Sequence, residues 1–152
     1  MKKFLKGFAY AARGLAFCLR ERNFRFHLCA VVFVTVFALA FYELSKAEWA
    51  VLLLTMGLVP ALEAVNTAVE RLADKVSSEQ DEHIMRCKDC AAAAVLIAAI
   101  AAVAVGISLF GDIARLAAAY EYLTADIVRV IAVIAVVAVA VAFVLLPERY
   151  KK

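Results

Sequence analysis

The apolar positions along this chain fall into one periodic stretch followed by four nearly continuous blocks. In residues 2–20, Phe4, Phe8, Ala11, Leu15 and Cys18 recur at steps of 4, 3, 4 and 3, while Lys2, Lys6, Arg13 and Arg20 take the other side. That spacing predicts an amphipathic helix lying flat in a membrane interface, its basic side toward anionic headgroups. Leu28 to Tyr42 is the first block. It is short against the ~20 residues that cross a bilayer core, so the span is expected to continue back into the segment holding Arg25 and His27. After a tight turn at Tyr42–Lys46, the second helix runs from Ala47 to about Asp74 and is apolar for its outer two-thirds. Pro60 cannot donate to the carbonyl of Met56 and is expected to kink it. Val76 to Cys87 reads as a polar connection. Ala91 to Phe110 is a third block without a charge, its inner half rich in alanine, which lets neighbouring helices approach closely. Gly111 to Ala125 is a mildly amphipathic outer segment. Val130 to Leu146 is the fourth block, closed by Pro147 and a basic tail.

Composition and charge sharpen this into an all-α membrane protein with four spans. The chain has 152 residues, 66% of them hydrophobic, and a mean hydropathy of +0.88, well above a soluble domain. The net charge of +3 says less than its distribution. Of 17 Lys and Arg, seven precede residue 28, four lie between Arg71 and Lys88, and three lie in the last four residues. Lys46, Arg115 and Arg129 flank the opposite ends of the blocks. This positive-inside pattern puts both termini and the 71–88 region in the cytoplasm. Four cysteines in or beside that compartment are not expected to form disulfides. Cys87 and Cys90 form a CxxC, but a zinc site needs two more ligands and only His27 and His83 are on offer.

The chemistry concentrates between Glu63 and Asp89. Glu63, Thr67, Glu70 and Asp74 are 4, 3 and 4 residues apart and share one helical face, with Asn66 on its flank. At about 1.5 Å per residue, Glu63 lies roughly 10 Å deeper than Glu70. A carboxylate inside a leaflet is costly and by default functional. Burial disfavours its charge, which suits it to take a proton from a hydroxyl arriving through the lipid. Glu70, with Asp74 a turn further out, suits a hard cation. Lys88 suits phosphate oxygens, and Asp89 suits capping the next helix and orienting Lys88. Glu21 brings a third carboxylate to the same interface. Glu63 and Arg25 are the candidate contacts to a lipid substrate, although Arg25 and His27 also fit interfacial anchors. The collection fits phosphoryl transfer, although neither GxxxxGK[ST] nor GxGxxG occurs. Taken singly, Glu70 and Asp74 also fit solvated helix-end charges, and Asn66 and Thr67 fit helix–helix hydrogen bonds. A proton-linked transporter subunit, with Glu63 in a relay, is the rival class.

EAVNTAVERLAD at 63–74, followed after 13 residues by KDCAAAAVL, resembles the signature of the prokaryotic diacylglycerol kinase and undecaprenol kinase family. Tyr10, Arg13-Gly14-Leu15 and Glu21-Arg22-Asn23-Phe24-Arg25 extend the resemblance over residues from about 3 to 110. It implies a lipid kinase domain over 1–110 and a C-terminal extension over 111–152 that adds the fourth span. It further implies a homotrimer with shared sites in the bacterial inner membrane, using ATP and Mg2+ to phosphorylate a lipid hydroxyl, with no nucleic acid partner. By position, Glu63 is then the general base and Asn66 belongs to the catalytic motif. Glu21 and Glu70 hold the metal. Tyr10, Glu21, Glu70, Asp74, Lys88 and Asp89 contact ATP. The ERNFRFH stretch is more like the undecaprenol branch, with diacylglycerol the alternative. The loop Ser78-Glu79-Gln80-Asp81-Glu82-His83 departs from the family's Ser-x-Glu-Tyr-His.

Overall fold

The computed structural model describes residues 2–76 and 81–147, with side chains from Lys6 onward. The basic tail and residues 78–80 of the departing loop therefore lie outside the described residues, as do the Lys2 and Phe4 side chains of the amphipathic pattern. Six helices follow in order: α1 (Lys2–Cys18), α2 (Arg22–Phe41), α3 (Lys46–Val76), α4 (Glu82–Phe110), α5 (Ile113–Thr124) and α6 (Ile127–Val144). Four of them, α2, α3, α4 and α6, are long and apolar enough to cross a membrane. The most extensive packing joins α3 to α4, while α2 packs on both α3 and α6, α5 on α6, and α1 on α3. At about 1.5 Å per residue, α3 is about 46 Å long against a core of about 30 Å. The paired ends of α3 and α4 therefore stand out of the apolar layer at the basic end.

Local chemistry sets the boundaries. Ser45 and Glu48 form a reciprocal capping box at the start of α3: Glu48 N–H donates to Ser45 Oγ (3.3 Å) and Ser45 N–H to Glu48 Oε2 (2.7 Å). Asp81, Asp112 and Asp126 cap α4, α5 and α6, each side chain accepting from backbone N–H groups of the first turn. The Asp81 cap corrects the expected boundary. Helix α4 begins at Glu82, so most of the expected polar connection is helical, and Asp89 sits two turns in rather than capping. The expectation for α1 is also shortened. The chain tightens after Cys18, with Arg20 N–H donating to Phe17 O (3.0 Å) and Glu21 N–H to Cys18 O (2.9 Å). Glu21 then takes an extended conformation ahead of α2 without using its side chain as a cap. Helix α3 runs unbroken through Pro60.

The opposite ends of the helices are closed differently. Among the described residues none has positive φ, so no left-handed cap satisfies the last carbonyls. Side chains do this instead. The hydroxyl of buried Tyr42, just past α2, donates to the Phe110 carbonyl at the end of α4 (3.0 Å), and its ring meets Phe110 edge-on at 4.9 Å. Arg129 donates to the Tyr122 carbonyl (2.9 Å) and stacks on that ring at 3.9 Å. Arg115 pairs with Asp112 (3.5 Å) and lies over Tyr42 at 5.6 Å. These contacts explain two arginines that the sequence pattern left without a role. Gly111 follows α4 at an ordinary φ of −75°, yet a Cβ there would collide with the Ile107 carbonyl oxygen.

Tyr42→Phe should lower resistance to thermal unfolding in micelles by about 0.5–2 kcal/mol, because the Phe110 carbonyl loses its donor in an apolar layer. Gly111→Ala should cost at least as much, since backbone rather than a flexible side chain must yield. Unfolding transitions unchanged from wild type in both variants would refute this account of the end of α4.

Candidate active site at the basic end

Helix α3 builds the site by grading burial along one face. Glu63, Asn66 and Thr67 are buried, with Glu63 only 4% exposed, whereas Glu70 and Asp74 one and two turns later are exposed. The gradient follows from helical spacing: the face enters the bundle at Glu63 and leaves it beyond Glu70. Asn66 Nδ2 donates to Glu70 Oε1 (3.0 Å), a turn apart on α3. Asn66 Oδ1 is buried without a hydrogen-bond partner. A buried acceptor left open is expensive and is suited to a hydroxyl or ammonium donor, or to a cation.

Two more elements converge on this face. The α1–α2 turn brings Glu21, whose Oε1 accepts from the Arg71 guanidinium of α3 (2.8 Å). The first turn and a half of α2 brings Asn23 and His27. The electrostatic surroundings of the Glu63 carboxylate are His27, the Asn23 side chain, Glu70 and Glu21. From α4, Lys88 Nζ pairs with Asp74 Oδ1 across the helix pair (2.9 Å). The structure thus brings Glu21, Glu63, Asn66 and Glu70 to one face, with Glu63 buried and Glu70 exposed, and places the Asp74–Lys88 pair further out. Asn23, His27 and Arg71 are neighbours that motif reasoning did not assign. Their sequence signal was only adjacency to residues it did assign.

Other expected residues stand apart. Tyr10 is exposed on α1 with the Arg13 guanidinium over its ring at 4.8 Å. Asp89 is exposed on α4. Arg25 is held by the backbone. It is 3% exposed, and both terminal nitrogens of its guanidinium donate to backbone carbonyls, while its Nε has no partner. Nη1 donates to Leu19 O (3.3 Å) and Arg20 O (2.8 Å), and Nη2 to Val144 O (2.9 Å) and to Leu146 O.

Two grooves reach this level. One, of about 260 Å³, is lined by α2, α3 and α4, from His27 and Pro60 down through Leu52, Ala102 and Phe110. It is almost wholly apolar and traverses most of the span. The other, of about 470 Å³, lies between α1 and α3 and is lined by Gly14, Leu15, Cys18, Thr67 and Arg71. Among the described residues, no group of three or more acidic, His or Cys side chains is arranged to hold a metal. The pair Glu21 and Glu70 does suit Mg2+, which takes one or two carboxylates and completes its shell with phosphate oxygens and water. In each carboxylate one oxygen bonds Arg71 or Asn66, and the second can serve a cation.

Comparison with known proteins gives this constellation a context. The undecaprenol kinase of Bacillus subtilis is 34% identical over 111 residues, covering 72% of this chain and 89% of that protein. The diacylglycerol kinase of Synechocystis is 42% identical over 104 residues, covering 67% of this chain and 59% of its own length. The diacylglycerol kinase of Escherichia coli is 34% identical over 102 residues, or 66% and 83% of the two chains. No solved structure matches at a significant level. Residues 9–110 match the family described as Prokaryotic diacylglycerol kinase, a match that opens in α1, closes at the last residue of α4 and contains every residue of the site, and the chain belongs to that family of membrane lipid kinases.

Proposed function

We propose that this kinase phosphorylates the terminal hydroxyl of undecaprenol at the cytoplasmic face of a bacterial inner membrane, with ATP as donor and Mg2+ as cofactor. The observation that carries the reading is a buried carboxylate, Glu63, one helical turn beyond Pro60 at the end of an apolar groove and about 10 Å deeper than the first of the groups suited to phosphate and its cation. The groove between α2, α3 and α4 takes the isoprenoid chain, so the hydroxyl lies beside Glu63. Similarity to the Bacillus undecaprenol kinase over most of that protein's length supports the choice of lipid.

In this reading Glu63 accepts the hydroxyl proton as the lipid oxygen bonds to the γ-phosphorus and the bond to the β,γ-bridging oxygen breaks, releasing ADP. Asn66 holds Glu70 through its amide. Glu21 and Glu70 hold Mg2+, which neutralises phosphate charge when bound. Lys88 exchanges Asp74 for a phosphate oxygen, while Tyr10 and Asp89 lie on the nucleotide side. Residues 1–110 form the kinase domain and 111–152 an extension. The chain works as a homotrimer, with sites completed between protomers. Diacylglycerol is the second reading, favoured by its use among the other named relatives.

Purified protein in mixed micelles should phosphorylate undecaprenol in preference to diacylglycerol, and only with a divalent cation. Glu63→Gln should reduce kcat by about 10²–10⁴, the usual contribution of a general base, with less effect on the KM for ATP. A preference for diacylglycerol would overturn the lipid assignment alone. Unimpaired turnover by Glu63→Gln would overturn the base. Inactivity toward both lipids would favour the transport relay.

The proposed orientation has its own test. Cys87 and Cys90 are exposed on α4 at the basic end. A membrane-impermeant maleimide should label them in inverted inner-membrane vesicles and leave them unlabelled in intact spheroplasts. The reverse pattern would invert the topology.

A further inference from the structure

We infer that Arg25 is a positioning residue of the kinase site, and that the end of α6 belongs to the same device. One guanidinium ties the turn carrying Glu21 to the C-terminus of the fourth span. The inference rests on the reading of Glu21 as a carboxylate on the cation and nucleotide side.

The geometry is specific. Leu19 and Arg20, whose carbonyls accept from Nη1, are the two residues immediately before Glu21. The backbone N–H of Arg25 also donates to the Glu21 carbonyl (3.2 Å). Glu21 is therefore fixed from both sides by one residue of α2, and its side chain pairs with Arg71. Nη2 reaches residues 119 and 121 positions away, at the end of α6. Among the described residues no carboxylate pairs with Arg25. The carbonyls of the α1–α2 turn and the C-terminus of α6, itself equivalent to about half a negative charge, stand in for one. The contact thereby joins the kinase core to a segment beyond the family match, which closes at residue 110.

Lysine separates charge from geometry. It keeps the positive charge, but its donors share one atom and cannot span two pairs of carbonyls. In full-length Arg25→Lys, amides near 19–21 and near 144–146 should exchange hydrogen at least tenfold faster together, with α3–α4 protection unchanged. Cys18 gives an independent readout. Its thiol is buried, and burial, with the nearby Glu21 carboxylate second, holds it above the usual thiol range. Its alkylation, mapped by peptide mass spectrometry, should accelerate at least tenfold. In turnover, the KM for Mg·ATP should rise about tenfold with the KM for lipid unchanged.

A second variant leaves Arg25 intact. One alanine inserted after Phe143 turns the following carbonyls by about 100° on a helix that buries none of its residues. It should reproduce the Mg·ATP effect. Protection lost at only one of the two segments, or at neither, would overturn the tie between them. Loosening of both with equal changes in the two KM values, or a normal Mg·ATP KM in the insertion variant, would overturn positioning. Exchange and alkylation report on the clamp even if wild type phosphorylates neither lipid, so failure of the kinase reading is seen separately.

Discussion

The fold depends on satisfying backbone carbonyls where water is scarce. Inside an apolar layer each helix meets its own needs except in its last turn, whose carbonyls have no intrahelical donor. This chain uses no left-handed residue to close those turns among its described residues. It spends side chains instead, and two of the most consequential come from either end of α2. Tyr42 closes α4 at one end of the bundle, and Arg25 binds the α1–α2 turn and closes α6 at the other. Helix α2 is the strut to which its neighbours are fastened, although α3 and α4 share the larger contact.

That fastening explains how so short a chain presents a graded polar face. Helices α3 and α4 are long enough to carry Glu70, Asp74 and Lys88 out of the apolar layer while Glu63 stays within it. The α1–α2 turn must then deliver Glu21 to the level between them. A flexible turn would let its carboxylate follow solvent. The turn here is tightened by short-range backbone bonds after Cys18, and Arg71 receives the side chain as it arrives. Preorganisation of this kind is what phosphoryl transfer needs most, because the protein has little covalent chemistry to perform.

Much of this was legible in the sequence. Apolar blocks located all four spans, and the 4, 3, 4 spacing from Glu63 to Asp74 predicted a shared face that the structure grades in burial. The capping box at Ser45 and Glu48 and the capping aspartates at 81, 112 and 126 came from the structure, and the last two mark boundaries that hydropathy blurs. The start of α4 was misjudged because EHIMRCKD is polar, and polarity was read as loop although these residues form helix readily outside lipid. The bonds of Arg25 were hidden for a different reason. A basic residue at an interface reads as solvent- or substrate-facing, and nothing local shows that two of its acceptors are carbonyls at the far end of the chain. Contacts between side chain and distant backbone leave no motif, since the backbone partner can carry any side chain.

The fourth span brings these points together. Beyond Arg129, helix α6 is apolar on every face, and none of its residues is buried, so side-chain packing fixes neither its rotation nor its depth strongly. In lipid there is also no hydrophobic gain from leaving solvent to hold it against α2. What remains to fix it are directional bonds at its ends: the Asp126 cap and Arg129 at its start, and Arg25 at its finish. Of these only Arg25 reaches another span. A helix attached at one polar point beside Glu21 transmits its position to that point and to little else. Changes confined to α6 should therefore be felt at the α1–α2 turn before they are felt at Glu63.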